Sequence, residues 1–207
     1  MDEQLRRNIE VLKCESKALE LAQEGRWVEA LASYDEAIKL KPDLPGLWYL
    51  KGLALVSLGR YQEALTALEK VAIFAPDDTG LMAQVWYYRG FALKETRRYE
   101  EALAALEEAV ELGPDNAEAW YFKGVVQGIL CKYDDALATL NEAIRINPNF
   151  AEAWLLKGYA LRHIGRLAES MAARDRAIEL DPNVLKRWEE RLKPMFGGTG
   201  IPSGLLW

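Results

Sequence analysis

The chain repeats itself every 34 residues, and this period limits its fold more than any other feature. Glycine follows most of the repeating tryptophans by four residues, and prolines and alanines keep the same phase. A fixed period of this length indicates small structural repeats that cannot bury their apolar faces alone and must stack on their neighbours. The tryptophans, spaced by 38, 34, 34 and 34 residues, are Trp48, Trp86, Trp120, Trp154 and Trp188.

Each repeat has the pattern of two helices. In the second repeat these are predicted over residues 47–59 and 61–75. Gly59 is predicted to end the first helix, because glycine takes the left-handed conformation at little cost. A proline stops the second helix, and the residue after it is predicted to cap the helix that follows. The predicted caps are Asp43, Asp77, Asp115, Asn149 and Asn183.

The period also predicts the boundaries of the organisation. A single solenoid is expected over residues 1–193, followed by a flexible apolar tail over 194–207. Residues 2–10 are predicted to lengthen the first helix with a polar outer face. The five repeats are expected at 11–44, 45–78, 83–116, 117–150 and 151–184, with an insertion at 79–82 and a capping helix over 184–193.

The pattern W-x3-G…G-x-Y-x2-A…P resembles the tetratricopeptide repeat (TPR) family. This resemblance implies an all-α fold, in which antiparallel helix pairs stack into a right-handed superhelix with a concave inner face. The sequence departs from the pattern at Cys14 and Ala18, which replace Trp and Gly in the first repeat. Arg97 and Cys131 stand in turns where glycine is usual, and each would cost up to about 1 kcal/mol if φ is positive.

One side of each first helix is expected to face the concave groove. With the tryptophan as reference and 100° per residue, the places one, five and eight residues later lie together. The resemblance places this side on the groove. The candidate peptide-binding residues are Tyr49, Leu53, Val56, Tyr87, Phe91, Lys94, Tyr121, Val125, Leu155, Tyr159 and Arg162.

These candidate residues are mostly apolar, which predicts a groove for an apolar peptide or an amphipathic helix of another protein. Members of the family that clamp a terminal carboxylate carry Lys and Asn at such places, so a carboxylate clamp is rejected. The alternative is that these side chains only pack one first helix against the next. The places two residues after the tryptophan are predicted to pack between repeats: Leu50, Tyr88, Phe122 and Leu156.

Basic residues recur three places after each tryptophan, on the side away from the groove. They are predicted to lay their stems on the surface and to pair with acidic residues of the neighbouring second helix. A ladder for an acidic ligand is the alternative. In the insertion, Thr79 is predicted to cap a helix that begins one turn early. Leu81 and Met82 would then project near the groove rim, as a partner contact or a tolerated extension.

The tail over 194–207 has no charged residue but several apolar ones. One hypothesis is that the chain is a self-assembling scaffold whose tail fills its own groove or that of a neighbour. The alternative is an unstructured tail. The residues that would mediate a homo-oligomer are Ile201, Leu205, Leu206 and Trp207.

Composition argues against several other functions. A net charge of −6 and a pI near 5.1 disfavour nucleic-acid binding. One histidine, His163, and two distant cysteines give no zinc site, cofactor site or catalytic pair, so no enzyme is predicted. No signal peptide and no long apolar run are found, so membrane insertion is not expected. The unpaired cysteines favour a reducing, cytoplasmic setting.

Overall fold

The computed structural model describes the backbone over residues 3–192 and the side chains up to residue 190. The tail, and with it the tail-docking hypothesis, lies outside the described residues. Over the described range the chain forms helices and no strands, so the predicted all-α class is confirmed. The helices are α1 (Glu3–Gln23), α2 (Trp27–Leu40), α3 (Pro45–Ser57), α4 (Tyr61–Phe74), α5 (Thr79–Glu95), α6 (Tyr99–Leu112), α7 (Ala117–Ile129), α8 (Tyr133–Ile146), α9 (Ala151–His163), α10 (Leu167–Leu180) and α11 (Val184–Leu192).

The first ten helices pack as five consecutive pairs, and α11 packs on α9 and α10. Two compact units are present: one ends at Pro114 and holds α1 to α6, and the other begins at Asp115 and holds α7 to α11. Each unit is therefore built from whole repeats. A single continuous solenoid over 1–193 stays a prediction.

Glycines allow the two helices of a repeat to come close. A Cβ atom at Gly52 would lie 2.9 Å from Cδ2 of Leu68, and one at Gly124 would lie 2.8 Å from Cγ of Leu140. Both distances are shorter than carbon atoms tolerate. Each of these two glycines is thus required by the leucine on the facing second helix.

The turns within the repeats have the predicted left-handed residue. Gly25, Gly59 and Gly165 have φ values of 74°, 71° and 81°. Arg97 and Cys131 adopt the same conformation, with φ of 61° and 58°. Because φ is positive at both positions, the predicted cost of up to about 1 kcal/mol applies to Arg97 and to Cys131.

Four of the five predicted helix caps are wrong by one residue. The N-cap of α3 is Leu44 and that of α9 is Phe150, not Asp43 and Asn149. In α5 and α7 the capping side chains belong to Asp78 and Asn116. Their Oδ1 atoms accept hydrogen bonds from the N–H groups of Leu81 and Ala119, at 2.9 and 3.1 Å. The turns before α3, α5, α7 and α9 hold one residue more than the sequence pattern suggested, so Asp77 and Asp115 also precede the cap. Asn183 directly precedes α11.

The insertion adds one turn to α5, which has 17 residues where α3, α7 and α9 have 13. Its cap is Asp78 rather than the predicted Thr79. Met82 is only 7 % exposed and packs with Leu68 and Val71, so its predicted place at the groove rim is wrong. The extra turn extends the core of the first unit.

The tryptophans are half-buried and join the turns to the core. Indole Nε1 of Trp48 donates to the carbonyl oxygen of Pro42 at 2.8 Å, and that of Trp154 donates to Pro148 at 3.0 Å. The hydrogen bond spans six residues in both repeats. It accounts for the six-residue separation of proline and tryptophan in these two repeats.

Candidate peptide-binding face

The first unit contains a cavity of about 380 Å³ on the side formed by its first helices. Leu53 and Val56, two of the predicted binding residues, lie on its wall. Helices α1, α3 and α5 contribute most of the lining, and α2 contributes two aromatic rings. The lining residues are Leu19, Ala22, Gln23, Trp27, Tyr34, Leu50, Leu53, Val56, Ser57 and Tyr88.

The tyrosines that begin α4 and α8 pack towards the next first helix. The Tyr61 ring lies 6.2 Å from that of Phe91, and the Tyr133 ring lies 6.2 Å from that of Tyr159. Trp27 holds the same place at the start of α2, and there it lines the cavity. Sequence reasoning on the first helices alone missed Trp27. The recurrence of an aromatic residue at this place was the available signal.

Tyr88, the residue of α5 that lines the cavity, packs against two other tyrosines. Tyr88 meets Tyr49 edge to face with ring centroids 6.1 Å apart, and it meets Tyr87 at 4.8 Å. The Tyr49 hydroxyl donates to Oε1 of Gln84, and burial raises the pKa of Tyr49. Tyr87 is 9 % exposed. Of these three, Tyr88 lines the cavity, although packing between repeats was predicted for it; Leu50, with the same prediction, lines it too.

Phe91 and Lys94 lie on α5 near the aromatic start of α4. Phe91 is half-buried against Tyr61, and the Lys94 ammonium lies 5.0 Å from the centroid of the Phe91 ring. Lys94 also forms an ion pair with Glu95. The positive charge is therefore partly neutralised where it borders the apolar surface.

In the second unit the equivalent places are more deeply buried. Tyr121 is 5 % exposed, with its ring 5.2 Å from Phe122 and 4.9 Å from Phe150. Val125 is half-buried against the same cluster. Leu155 is 0 % exposed and packs with residues of α10 and α11. Leu155 is a core residue in this structure, and Tyr121 contributes mainly to packing.

Tyr159 belongs to a cluster of rings at the end of α9. Its ring lies 4.5 Å from that of His163, which stacks on Tyr133 at 4.4 Å with planes 9° apart. Burial and the nearby charge of half-buried Arg162 lower the pKa of His163. The Tyr133 hydroxyl donates to Sγ of Cys131 at 3.4 Å, and this bond, together with burial, raises the pKa of Tyr133. His163 is therefore held at the end of α9 by contacts with the rings of Tyr133 and Tyr159.

The cavity of the first unit is electrically neutral. Among the described residues that line it, none carries a formal charge, and Gln23 and Ser57 supply polar side chains. Burial raises the pKa of the Tyr34 phenol, which keeps this group neutral as well. Such a wall suits an apolar side chain and offers no partner for a carboxylate.

Comparison with known families agrees with this architecture. Three family models, each described as a tetratricopeptide repeat, match residues 17–84, 83–116 and 132–184. The chain belongs to the tetratricopeptide repeat family. The TPR models cover both compact units.

Solved TPR structures share the fold at low sequence identity. MamA from Desulfovibrio magneticus RS-1, over residues 41 to the end, is 22 % identical with a TM-score of 0.76, covering 84 % of this chain and 96 % of that one. A second MamA structure is 24 % identical with a TM-score of 0.72, at 82 % and 96 % coverage. YrrB, described as a TPR protein with an unusual peptide-binding site, is 23 % identical with a TM-score of 0.71, at 88 % and 93 % coverage.

The basic residues three places after the tryptophans lie over the tryptophan rings in this TPR chain. Nζ of Lys51 lies 5.3 Å from the centroid of Trp48, and the guanidinium carbon of Arg89 lies 4.5 Å from that of Trp86. Lys51 also donates to Oδ1 of Asp35 on α2 at 2.6 Å. The predicted pairing with the neighbouring second helix is confirmed for this residue, and the cation–π contact is an additional restraint.

The described residues offer neither a metal-binding group nor a membrane-spanning helix. Over that range, no three side chains of His, Cys, Asp or Glu come together as a group that could hold a metal ion. No described helix is long and apolar enough to cross a membrane.

Proposed function

We propose that this TPR chain is a non-enzymatic interaction module that binds an apolar segment of another protein. The observation that carries the proposal is the neutral, aromatic-walled cavity on the first-helix side of the first unit. Its lining comes from three successive repeats, so the cavity is a product of the stacking itself. YrrB, which is similar in fold, is described as having a peptide-binding site.

The energetics of such a site favour binding by a few large side chains. Burying one leucine or phenylalanine side chain contributes about 1.5–3 kcal/mol. Because the walls are helices already packed in the core, little ordering is needed on the protein side. Aromatic residues commonly dominate the affinity of protein interfaces. Trp27 and Tyr88 are two of the aromatic residues that line this cavity.

The structure sorts the predicted binding residues by accessibility. Leu53 and Val56 are the proposed contact residues in the cavity, with Leu50 and Tyr88 beside them. The half-buried residues of the other predicted places in the first unit, Tyr49, Phe91 and Lys94, would extend this surface. Val125, Tyr159 and Arg162 are half-buried in the second unit and are proposed as contacts there. The buried ones shape the site from within and are not proposed as contacts: Tyr87, Tyr121 and Leu155.

A peptide selection tests this function. A displayed library of random 16-residue peptides is selected against the full chain, and the affinities of the recovered peptides are measured by fluorescence anisotropy. We expect these peptides to share a large apolar residue. Leu53→Asp should weaken their binding by about tenfold or more, because a carboxylate in an apolar pocket loses its hydration.

Leu167→Asp is the matched control, because Leu167 is an exposed leucine of α10 in the other compact unit. It should leave the affinities unchanged. Circular dichroism would verify that both variants keep their helical content. Peptides that bind the wild type and Leu53→Asp equally well would contradict the proposal.

The second candidate function is self-assembly, in which the tail fills a groove of its own chain or of a neighbour. The uncharged, apolar sequence of residues 194–207 favours it. A labelled peptide of residues 195–207 that saturates on the full chain, together with a mass that rises with concentration, would support this function. Binding that Leu53→Asp does not alter would place the tail outside the cavity.

We also propose a reducing compartment such as the cytoplasm. Cys14 is half-buried and Cys131 is exposed, and both are free thiols. Mass spectrometry of the protein isolated under alkylating conditions should find both thiols reduced.

A further inference from the structure

Two apolar side chains of α10 are exposed at places that are covered in the other repeats. Leu167 is 61 % exposed and Met171 is 62 % exposed. The residues that begin the other second helices are all half-buried: Trp27, Tyr61, Tyr99 and Tyr133. Four places later in those helices the side chains are buried or half-buried: Leu31, Leu65, Leu103 and Leu137. Leu167 and Met171 are here called the terminal pair.

In the other repeats these places are covered by the next first helix. The ring of Tyr133 lies 6.2 Å from that of Tyr159, which follows the tryptophan of its repeat by five residues. Leu31 packs in one cluster with Leu55, which follows its tryptophan by seven residues. The covering side chains therefore come from the second half of the next first helix.

The period supplies an equivalent covering residue beyond α11. Met195 follows Trp188 by seven residues, as Leu55 follows its own tryptophan, and Phe196 comes next. Pro194 precedes them, and a helix usually ends at or before the residue that precedes a proline. The first apolar residues of the tail thus stand where the period requires a cover for α10.

We propose that Met195 and Phe196 of the same chain cover the terminal pair and close the end of the second unit. This inference does not depend on the proposed function. It concerns only the first apolar residues of the tail, and residues 201–207 have no part in it. The physical need is that the last repeat of a stack must not leave apolar surface open to water.

The length of the chain permits this contact. Phe196 follows Leu192, the last residue of α11, by four residues, and four extended residues span up to about 14 Å. Packed helices have axes about 8–10 Å apart, and α11 packs on α10. A segment tethered this closely has an effective concentration in about the millimolar range, so a contact of a few side chains is enough to hold it.

The small size of the terminal pair argues against a separate molecule. A stable interface buries about 800 Å² on each partner, and two side chains provide only a small part of that area. The charged groups beside Leu167 are already paired, because Arg166 forms an ion pair with Glu169 at 2.6 Å. A foreign partner would therefore find neither sufficient apolar area nor a free charge next to this leucine.

A second copy that continued the stack would meet α11. Helix α1 exposes Leu5, which is 50 % exposed, and this corrects the polar outer face predicted for residues 2–10. A head-to-tail stack would bring α1 of another copy onto α10 as the next first helix. That place is held by α11, whose Val184 is 1 % exposed and packs with Leu155 and Ala177.

Oxidation of methionine tests the cover directly. The full chain is treated with dilute hydrogen peroxide, and the sulfoxide formed at each methionine is followed over time by mass spectrometry. We expect Met171 to oxidise about fivefold faster or more in Phe196→Asp than in the wild type, because a carboxylate loses hydration against an apolar surface. Met82, which is 7 % exposed, is the internal reference and should keep its rate.

Leu205→Asp is the matched control, because it places the same charge in the tail but outside the proposed contact. It should leave the Met171 rate unchanged. In the wild type this rate should also be independent of protein concentration, because the contact lies within one chain. Circular dichroism would verify that all variants keep their helical content.

Three results would overturn the inference. One is an equal Met171 rate in the wild type and in Phe196→Asp. Another is an increase in Leu205→Asp as large as that in Phe196→Asp, which would assign the cover to the end of the tail. The third is a Met171 rate that falls as the protein concentration rises, because another copy would then cover the terminal pair.

Discussion

A Cβ atom at Gly90 would lie 2.5 Å from Cγ of Leu106, closer than the corresponding contacts of 2.9 Å at Gly52 and 2.8 Å at Gly124. Gly90 is on α5 and Leu106 is on α6, so the contact joins the two helices of one repeat. Leu106 is fully buried and has no open space into which to move. The helices of this pair are therefore held at a separation that only glycine permits.

Gly90→Ala is expected to destabilise the protein, because the added methyl group overpacks the contact with Leu106. Overpacking of a well-packed core costs about 1–3 kcal/mol. Urea unfolding followed by circular dichroism at 222 nm would measure the change in the free energy of unfolding.

Gly46→Ala provides the matched control. Gly46 is an exposed residue of α3, and a Cβ atom there would meet nothing within 4 Å. Alanine is the better helix former by about 0.5–1 kcal/mol, so this variant should be slightly more stable than the wild type. Equal stability of the two alanine variants would show that the α5–α6 contact adapts freely.

Arg97→Gly is expected to stabilise the protein, because Arg97 has a φ of 61° in the turn between α5 and α6. A non-glycine residue in this region costs about 1 kcal/mol, and glycine removes that cost. A higher urea midpoint with an unchanged slope would confirm the gain. The variant keeps the Arg98–Glu101 ion pair that follows the turn.

Gly59→Ala is the reverse experiment at the equivalent turn, where φ is 71° and the surroundings are open. It should lose about 1 kcal/mol, again from backbone strain alone. If neither substitution changes stability, the left-handed turns do not control the stability of these repeats.

His163 is expected to titrate below the ordinary histidine value of about 6.5, because burial and Arg162 lower its pKa. It is the only histidine in the sequence, so its imidazole proton resonance can be followed by NMR without ambiguity. The unfolded chain binds the proton first as the pH falls. The histidine contribution to the free energy of unfolding is therefore complete above about pH 6.5 and is lost as the pH falls towards the folded-state pKa.

Arg162→Gln removes the charge but not the aromatic surroundings. The pKa of His163 should rise in this variant and stay below that of an unfolded reference peptide, because burial is the larger cause. A midpoint at or above the peptide value in the wild-type protein would contradict the stacking of His163 on Tyr133.

Two of the residues predicted from the spacing, Leu53 and Val56, line the cavity, but the spacing did not predict which side chains remain accessible. Leu53 follows its tryptophan by five residues and Leu155 follows its tryptophan by one. The two positions are therefore neighbours on the same side of the first helices. Leu53 lines the cavity, whereas Leu155 is enclosed by α10 and α11. A rotation of about 40° separates these places on a helix, and the packing of the following helices decides which of them is covered.

Two other features of the site required the tertiary structure. Trp27 and Tyr34 come from α2, a second helix, and they reach the cavity because the α2–α3 contact brings them beside Leu53. Tyr88 was predicted to pack between repeats and does contact Tyr49, yet it also lines the cavity. A helical projection of one helix carries no information about side chains that arrive from another.

The sequence by itself determined the period, the helix pairs and the left-handed turns. These properties depend on residues that are close in the chain, so their signals recur with the 34-residue period. The tertiary structure alone decided that Met82 is core, that Leu5 and Leu12 stay exposed, and that Leu19 and Trp27 meet Tyr88 around one cavity. Burial is a property of what surrounds a side chain, and only the packed repeats supply those surroundings.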